Sequence, residues 1–284
     1  MSALSFRTRR TLRGIWDHLL LLIVIVVLFF PIFWMISTAF KFRGDAIALP
    51  PSWIPPEITW ENFKKLFDVR SAFPIYIKNT LLVCGATTVI CIILSSLTGY
   101  GLSRLKFKGR RLSLILILAS QMFPLTLILI PIYMFFKDLH LLNTYAGLIL
   151  AFTTFGLPFS VWMMKGFYDT VPVEIEESAV MDGCGPFTIL YRIVFPMVSP
   201  GVVTVGFYSF LQGWNNLLFP LTLNSRMEMR TIAPGFLLSY VGEYEYFWTE
   251  MMAGSVVATL PIVLIFIMLQ RYYIAGLTQG AVKG

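Results

Sequence analysis

The chain has 284 residues and a net charge of +7; hydrophobic residues fill 57% of the positions and charged residues only 13%. A soluble protein of this size needs more charge to cover its surface, so this composition excludes an ordinary soluble domain and indicates a membrane protein. The positive charge is concentrated in short segments, which fits loops held against anionic lipid and argues against nucleic acid as a partner.

Six apolar segments are each long enough to cross the membrane as a helix, which takes about 20 residues. They lie at 17–39, 77–102, 112–136, 144–167, 200–223 and 250–273. The sequence therefore predicts an all-α protein with a short stub at 1–16, a transmembrane domain at 17–273 and a tail at 274–284.

The central part of each predicted span lacks Asp, Glu, Lys and Arg. Carriers driven by protons or ions usually place ionisable residues at that depth, so this absence argues against a secondary transporter, the alternative class. Prolines within the spans each remove one helical hydrogen bond and favour kinks, at Pro31, Pro124, Pro131, Pro158 and Pro261.

Basic residues in short loops set the orientation of a membrane protein. Four arginines precede residue 14, and five positive charges fall within 104–111, whereas the loop after the third span has only Lys137, offset by Asp138. This asymmetry predicts cytoplasmic termini and a cytoplasmic loop at 168–200. The long external loop at 40–76 is proline-rich and then helical in spacing; its sequence leaves open whether it packs on a partner or lies in the membrane interface.

The sequence offers no disulfide, metal site or catalytic constellation. Cys84 and Cys91 are separated by about 10 Å of helix rise, which is too far for a disulfide, and Cys184 lies in a predicted cytoplasmic loop. His18 and His140 have no neighbouring metal-ligand residues, and no paired carboxylates face one another at helical spacing within or near the spans. We therefore expect neither an enzyme nor a metal cofactor, and the first apolar run is too long for a cleaved signal peptide.

Residues 168–200 contain an acidic stretch with an ordered series of helix caps and breakers, which predicts two short helices and a turn. We expect these helices to form a compact knob in the cytoplasm. Asp169 or Thr170 should cap the first helix, with Pro172 in its first turn, and Gly183 and Gly185 should form the turn between the helices. Pro186 should start the second helix and Pro196 should end it.

The same loop carries a spaced motif: Glu177-Ser178-Ala179, three residues, Gly183, nine residues, Ile193, one residue, Phe195-Pro196. It resembles the pattern E-A-A, three residues, G, nine residues, I, one residue, L-P of ABC import permeases, with Ser178 and Phe195 as mild departures. Segments around 99–111, 141–148, 157–159 and 270–284 are similar to the smaller, six-span permease of maltose-type sugar importers.

This resemblance implies a type I ABC importer permease fold with a cytoplasmic coupling helix, in the bacterial inner membrane. The implied partners are a second homologous permease, an ABC ATPase dimer, an extracytoplasmic sugar-binding protein and membrane lipid. The chain has no Gly-Lys dipeptide and thus no phosphate-binding P-loop, so ATP and Mg are expected on the ATPase subunits. The resemblance also implies which residues contact the ATPase. They are Glu177, Ser178, Ala179, Asp182, Gly183, Ile193 and Pro196 in the loop, and Gly276, Gly280, Lys283 and Gly284 in the tail.

A polar run at 212–216 lies within the fifth predicted span. Amides beside an aromatic ring suit a sugar, whose hydroxyls pair with amides and whose ring faces stack. Hydrogen bonding between the helices of two permeases is the alternative explanation, and the sequence favours it. The candidate substrate-path residues are Gln121, Trp214, Asn215 and Asn216. Few external basic residues lie near the spans, which favours a neutral sugar over the alternative of a polyol, glycerol phosphate or uronate oligosaccharide.

Overall fold

The computed structural model describes the backbone of residues 6–241 and 247–281, and the side chains of residues 14–241 and 247–270. Its regular elements are helical, which confirms the all-α class. The α-helices are α1 (Phe6–Ala39), α2 (Arg43–Ala46), α3 (Glu61–Leu66), α4 (Phe73–Arg104), α5 (Arg110–Ala119), α6 (Leu125–Asp138), α7 (Tyr145–Asp169), α8 (Val173–Met181), α9 (Pro186–Thr188), α10 (Phe195–Met197), α11 (Ser199–Trp214), α12 (Leu218–Leu223), α13 (Ile232–Tyr240) and α14 (Trp248–Ala281). Short 3₁₀ turns occupy Ser120–Met122 and Met227–Met229, and a π-helical turn occupies Ile189–Val194.

Four helices in the described residues are long and apolar enough to cross a membrane: Gly14–Ala39 within α1, α4, α7, and Trp248–Gln270 within α14. Two bent pairs also qualify, α5 through Met122 with α6, bent by 96°, and Pro186–Met197 with α11, bent by 80°. The described residues thus hold four helices that could span a membrane, or up to six if each bent pair counts as one span.

The third span is a broken helix for a reason that is visible in the sequence. Phe123 has extended backbone angles (φ −74°, ψ 125°) immediately before Pro124, which is the N-cap residue of α6. A residue that precedes proline is pushed out of the helical region by the pyrrolidine ring, and this ends the first segment.

The prediction of one continuous helix at 200–223 was wrong, because α11 ends at Trp214 and α12 restarts at Leu218. Pro220 explains the break: in a continuous helix its ring would clash with the carbonyl of residue 216, four positions earlier. The carboxamide of Asn216 instead accepts the N–H of Phe219 at 3.1 Å, at the start of α12.

The chain divides into two compact units, residues 1–71 with 240–257 and residues 72–239 with 258–284. In the first unit, the apolar window of α1 is exposed along its whole length. The segment after α1 folds back on its end: Asn62 in α3 donates to the carbonyls of Ala39 and Lys41 at 2.9 and 2.8 Å. The helical spacing predicted after Glu57 is confirmed over α3.

The second unit is organised around α4, α7 and α11, which pack against one another. Glycines permit two of the close approaches: a Cβ atom at Gly99 would lie 2.9 Å from Cβ of Met164, and one at Gly201 would lie 2.4 Å from the ring of Phe167. The loop helix α8 lies at the end of this bundle where α4 and α7 finish, and Ala179 is buried in one apolar cluster with Met164 and Tyr168 of α7.

Candidate functional site

The helix α8 has one buried and one exposed face. Ala179 and Glu176 point inward and are buried, whereas Glu177, Ser178 and Met181 point outward, Met181 being 88% exposed. The buried face joins the apolar cluster that continues into Leu190, Val194 and Val198 of the second half of the loop. The knob is therefore a packed body that presents an acidic and apolar outer surface.

Gly183 ends α8 through a Schellman motif. Its φ is +80°, its N–H donates to the carbonyl of Val180 at 2.9 Å, and the N–H of Cys184 donates to the carbonyl of Ala179 at 3.0 Å. These two bonds satisfy carbonyls that a helix end leaves unpaired, and they require a left-handed residue, which glycine provides without strain. The turn expected at Gly183 is confirmed.

The structure corrects three expectations about the rest of the loop. Neither Asp169 nor Thr170 caps α8: Pro172 occupies the N-cap position, and the Thr170 hydroxyl donates back to the carbonyl of Phe167 at 2.7 Å. Gly185 has an ordinary extended backbone (φ −76°, ψ 160°), so the turn uses only one left-handed glycine. Pro196 lies in the first turn of α10 and does not end the helical segment, which breaks at Val198, just before α11 starts at Ser199 with Pro200 in its first turn.

A buried ion pair fastens α8 to the end of α4. Nε of Arg104 donates to Oε1 of Glu176 at 2.5 Å, and the Tyr100 hydroxyl donates to Oε2 of the same carboxylate at 2.7 Å. A second guanidinium nitrogen of Arg104 donates to the carbonyl of Val171 at 2.8 Å. The side chains of Arg104 and Glu176 are only 12% and 10% exposed. Both carboxylate oxygens are satisfied, so this contact holds α8 to a membrane-spanning helix in a defined geometry.

A second polar contact joins α4 and α7 close to the same place. The Ser103 hydroxyl donates to Oδ1 of Asp169 at 2.6 Å, while Oδ2 of Asp169 lies 2.5 Å from Nζ of Lys165. The sequence predictions missed these ties, because Glu176 precedes the spaced motif and Arg104 was read only as a charge that orients the chain. One feature of the sequence could have indicated the first contact. Arg104 lies at the very end of a span, and an arginine there needs a buried partner of opposite charge if its side chain turns inward.

Comparison with known proteins identifies the chain. Residues 91–279 match the family described as the inner membrane component of binding-protein-dependent transport systems. The chain is 35% identical to the diacetylchitobiose uptake system permease protein DasC of Streptomyces coelicolor, covering 97% of this chain and 100% of that protein. It is 30% identical to the trehalose/maltose transport system permease protein MalG of Thermococcus litoralis, covering 93% and 94% of the two chains.

The chain belongs to this family of ABC importer permeases. Its fold matches that of a bacterial ABC transporter involved in alginate import with a TM-score of 0.81, at 20% identity, covering 96% of this chain and 100% of that one. The family match spans α8 and all residues of its polar contacts from Arg104 to Glu176. The resemblance to ABC import permeases expected from the loop motif is therefore confirmed, as is the resemblance to maltose-type permeases expected from the other segments.

Within the permease, the coupling residues expected from the motif separate into two groups. Glu177, Ser178 and Asp182 are exposed on the outer face of the knob, as is Pro196. Ala179 is buried and Ile193 is partly buried against the apolar cluster, so these two hold the shape of the loop. Gly183 is exposed and sets the turn. Their role in ATPase contact stays a prediction.

The expected substrate-path residues of the permease occupy different surroundings. Asn215 is exposed, and Gln121, also exposed, donates its amide to the carbonyl of Phe155 at 3.1 Å. Phe155 of α7 packs on Phe219, and the carboxamide of Asn216 accepts the N–H of Phe219. Gln121 and Asn216 therefore both lie near Phe155. Trp214 is only 5% exposed and stacks on Phe210 at 5.2 Å between ring centroids, so its ring is covered by this chain.

Of the expected tail contacts, Gly276 and Gly280 lie within the continuous backbone of α14. Lys283 and Gly284 lie outside the described residues.

Proposed function

We propose that this chain is the permease subunit of an ATP-driven importer that carries a neutral sugar or oligosaccharide across the inner membrane, with both termini in the cytoplasm. The names of the relatives, a diacetylchitobiose and a trehalose/maltose permease, support the sugar class. The observation that carries the proposal is α8, which is tied to α4 on its inner face through Arg104 and Glu176 and is exposed on its outer face.

In this proposal a second permease and an ATPase dimer complete the transporter, and a binding protein delivers the sugar from outside. ATP and Mg bind to the ATPase subunits, since this chain has no Gly-Lys dipeptide. The ATPase binds the outer surface formed by Glu177, Ser178 and Met181. Movement of α8 then passes to α4 through the Arg104–Glu176 pair and to α7 through the apolar cluster, because both contacts resist separation.

Transport by the reconstituted complex tests this function. The permease, its partner permease and the ATPase are placed in liposomes that contain ATP, and the binding protein loaded with radiolabelled sugar is added outside. We expect uptake that needs both ATP and the binding protein. Uptake that runs on a proton or sodium gradient without ATP would instead establish a secondary transporter.

The orientation gives a separate prediction. Alkaline phosphatase is active only outside the cytoplasm, and the basic segment 104–111 is expected to be retained inside. A fusion after His140 should therefore be active and a fusion after Phe107 inactive, when activities are corrected for the amount of fusion protein. The reverse pattern would place α8 outside the cell and remove any contact with an ATPase.

The polar residues after α11 give a third prediction. Asn215 is exposed, so Asn215→Ala should raise the sugar concentration at half-maximal uptake while the complex still assembles. Trp214→Ala should act differently, because deleting a buried aromatic side chain costs about 3–5 kcal/mol and should lower the amount of folded permease. Unchanged transport kinetics in Asn215→Ala would show that this amide does not contact the sugar.

A further inference from the structure

A groove lies between α5 and α7 at the end of the bundle that carries α8. It consists of two adjoining cavities of about 400 and 760 Å³, which share Leu114 and Lys165 in their walls. We call it the α5–α7 groove. Both helices belong to the second compact unit.

The mouth of the α5–α7 groove is positively charged. Arg110, Arg111 and Lys165 line it, and Asp169 is the one carboxylate among its lining residues, so three cations face one anion. Lys165 is paired with Asp169, and Arg110 donates to the carbonyl of Ser103 at 3.0 Å. Arg111 is exposed and forms no ion pair with any residue that the structure describes. The mouth therefore has an excess of positive charge that suits an anionic headgroup.

The wall of the same groove is apolar. Leu114 and Ile115 of α5 and Trp162, Met163 and Phe167 of α7 form it. Trp162 and Ile115 are about half exposed. A soluble anion gains nothing from such a wall, whereas an acyl chain buries apolar surface against it, and tryptophan beside basic residues is typical of the headgroup level of a bilayer.

From this combination we infer that the α5–α7 groove binds one anionic glycerophospholipid, such as phosphatidylglycerol, from the leaflet on the α8 side. The phosphate lies among Arg110, Arg111 and Lys165, and the start of an acyl chain lies along Trp162 and Leu114. Basic pockets between membrane helices at the cytoplasmic boundary suit acidic lipid headgroups. This inference does not depend on which substrate the permease carries.

Gly166 supplies a steric test that leaves the fold intact. It lies inside α7 and lines the groove, and a Cβ atom there would meet nothing within 4 Å. Gly166→Leu therefore fills the groove, and leucine is also the better helix former. Gly85→Leu is the matched control, because Gly85 lies inside α4, also has nothing within 4 Å of its Cβ position, and does not line the groove.

The measurement is native mass spectrometry of the whole detergent-purified transporter, titrated with phosphatidylglycerol or with phosphatidylcholine of the same chain length. The unmodified complex and Gly85→Leu should retain one more phosphatidylglycerol per copy of this chain than Gly166→Leu. Arg111→Gln should lower the preference for phosphatidylglycerol about fivefold, which is the contribution of one cation near a headgroup. Lys108→Gln, which removes an exposed charge outside the groove, should leave this preference unchanged.

Two results would overturn the lipid site. Equal lipid retention by Gly166→Leu and the unmodified complex would mean that the groove is empty or covered by another subunit. Loss of the bound lipid on addition of inorganic phosphate, together with no difference between the two lipids, would mean that the cations bind a free anion and that the apolar wall plays no part.

Discussion

Replacing Gly183 by valine should abolish most sugar uptake while leaving the permease inserted in the membrane. The φ of +80° at Gly183 lies in the left-handed region, where a side chain costs about 1–2 kcal/mol and a β-branched one is least tolerated. A Cβ atom there meets no other atom within 4 Å, so the effect comes from the backbone and not from a clash within the chain. We expect the Schellman turn to open and α8 to lose its fixed end.

The readouts are retention of the ATPase during purification, sugar uptake and ATP hydrolysis stimulated by the binding protein, each expected to fall about tenfold for a strain of this size. Gly185→Val is the matched control, because Gly185 is two residues away, has open space at its Cβ position and has extended angles that valine adopts readily. If Gly183→Val retained its ATPase and transported normally, or behaved like Gly185→Val, α8 would not be the coupling element.

Replacing Arg104 by alanine should release α8 from α4. The change leaves the buried carboxylate of Glu176 without its cation, and breaking a buried ion pair in this way costs about 3–5 kcal/mol. Amide hydrogen exchange in residues 173–184 should accelerate strongly in the assembled complex, and uptake should collapse. Lys106→Ala, which removes an exposed charge two residues further along the chain, should change neither.

A double-mutant cycle with Glu176→Gln separates this contact from a general effect of removing charge. If the two side chains act as a pair, Glu176→Gln should be much less damaging in the Arg104→Ala background than alone. Additive effects of the two substitutions on hydrogen exchange would show that Arg104 does not act through Glu176.

The parts of the structure that the sequence predicted are those set by local rules. Apolar length alone located the four helices that are long enough to cross a membrane, and the order of caps and breakers located α8. The left-handed conformation of Gly183 followed from helix-end chemistry, because few other residues can occupy that position. Each of these features depends on residues that are neighbours in the chain.

The parts that the sequence predictions missed depend on contacts between distant segments or on how a proline is accommodated. Arg104 and Glu176 are 72 residues apart in the chain, so their pairing exists only once α4 and α8 are packed. The break after Trp214 was foreshadowed by Pro220, yet Pro158 lies inside the unbroken helix α7, so a proline alone does not decide whether a span breaks. Likewise, burial of Trp214 against Phe210 is a result of packing that composition does not reveal.

The most direct test of the central claim is a photo-crosslink from the outer face of α8 in the native membrane. A photoreactive amino acid at Met181, which is 88% exposed, should capture the ATPase subunit, identified by its mass and by labelling with an ATP analogue. The same amino acid at Leu49, which is 91% exposed on the segment expected outside the cell, should not capture it. Capture of the ATPase from Leu49 and not from Met181 would contradict the account of α8 as the element through which ATP hydrolysis drives transport.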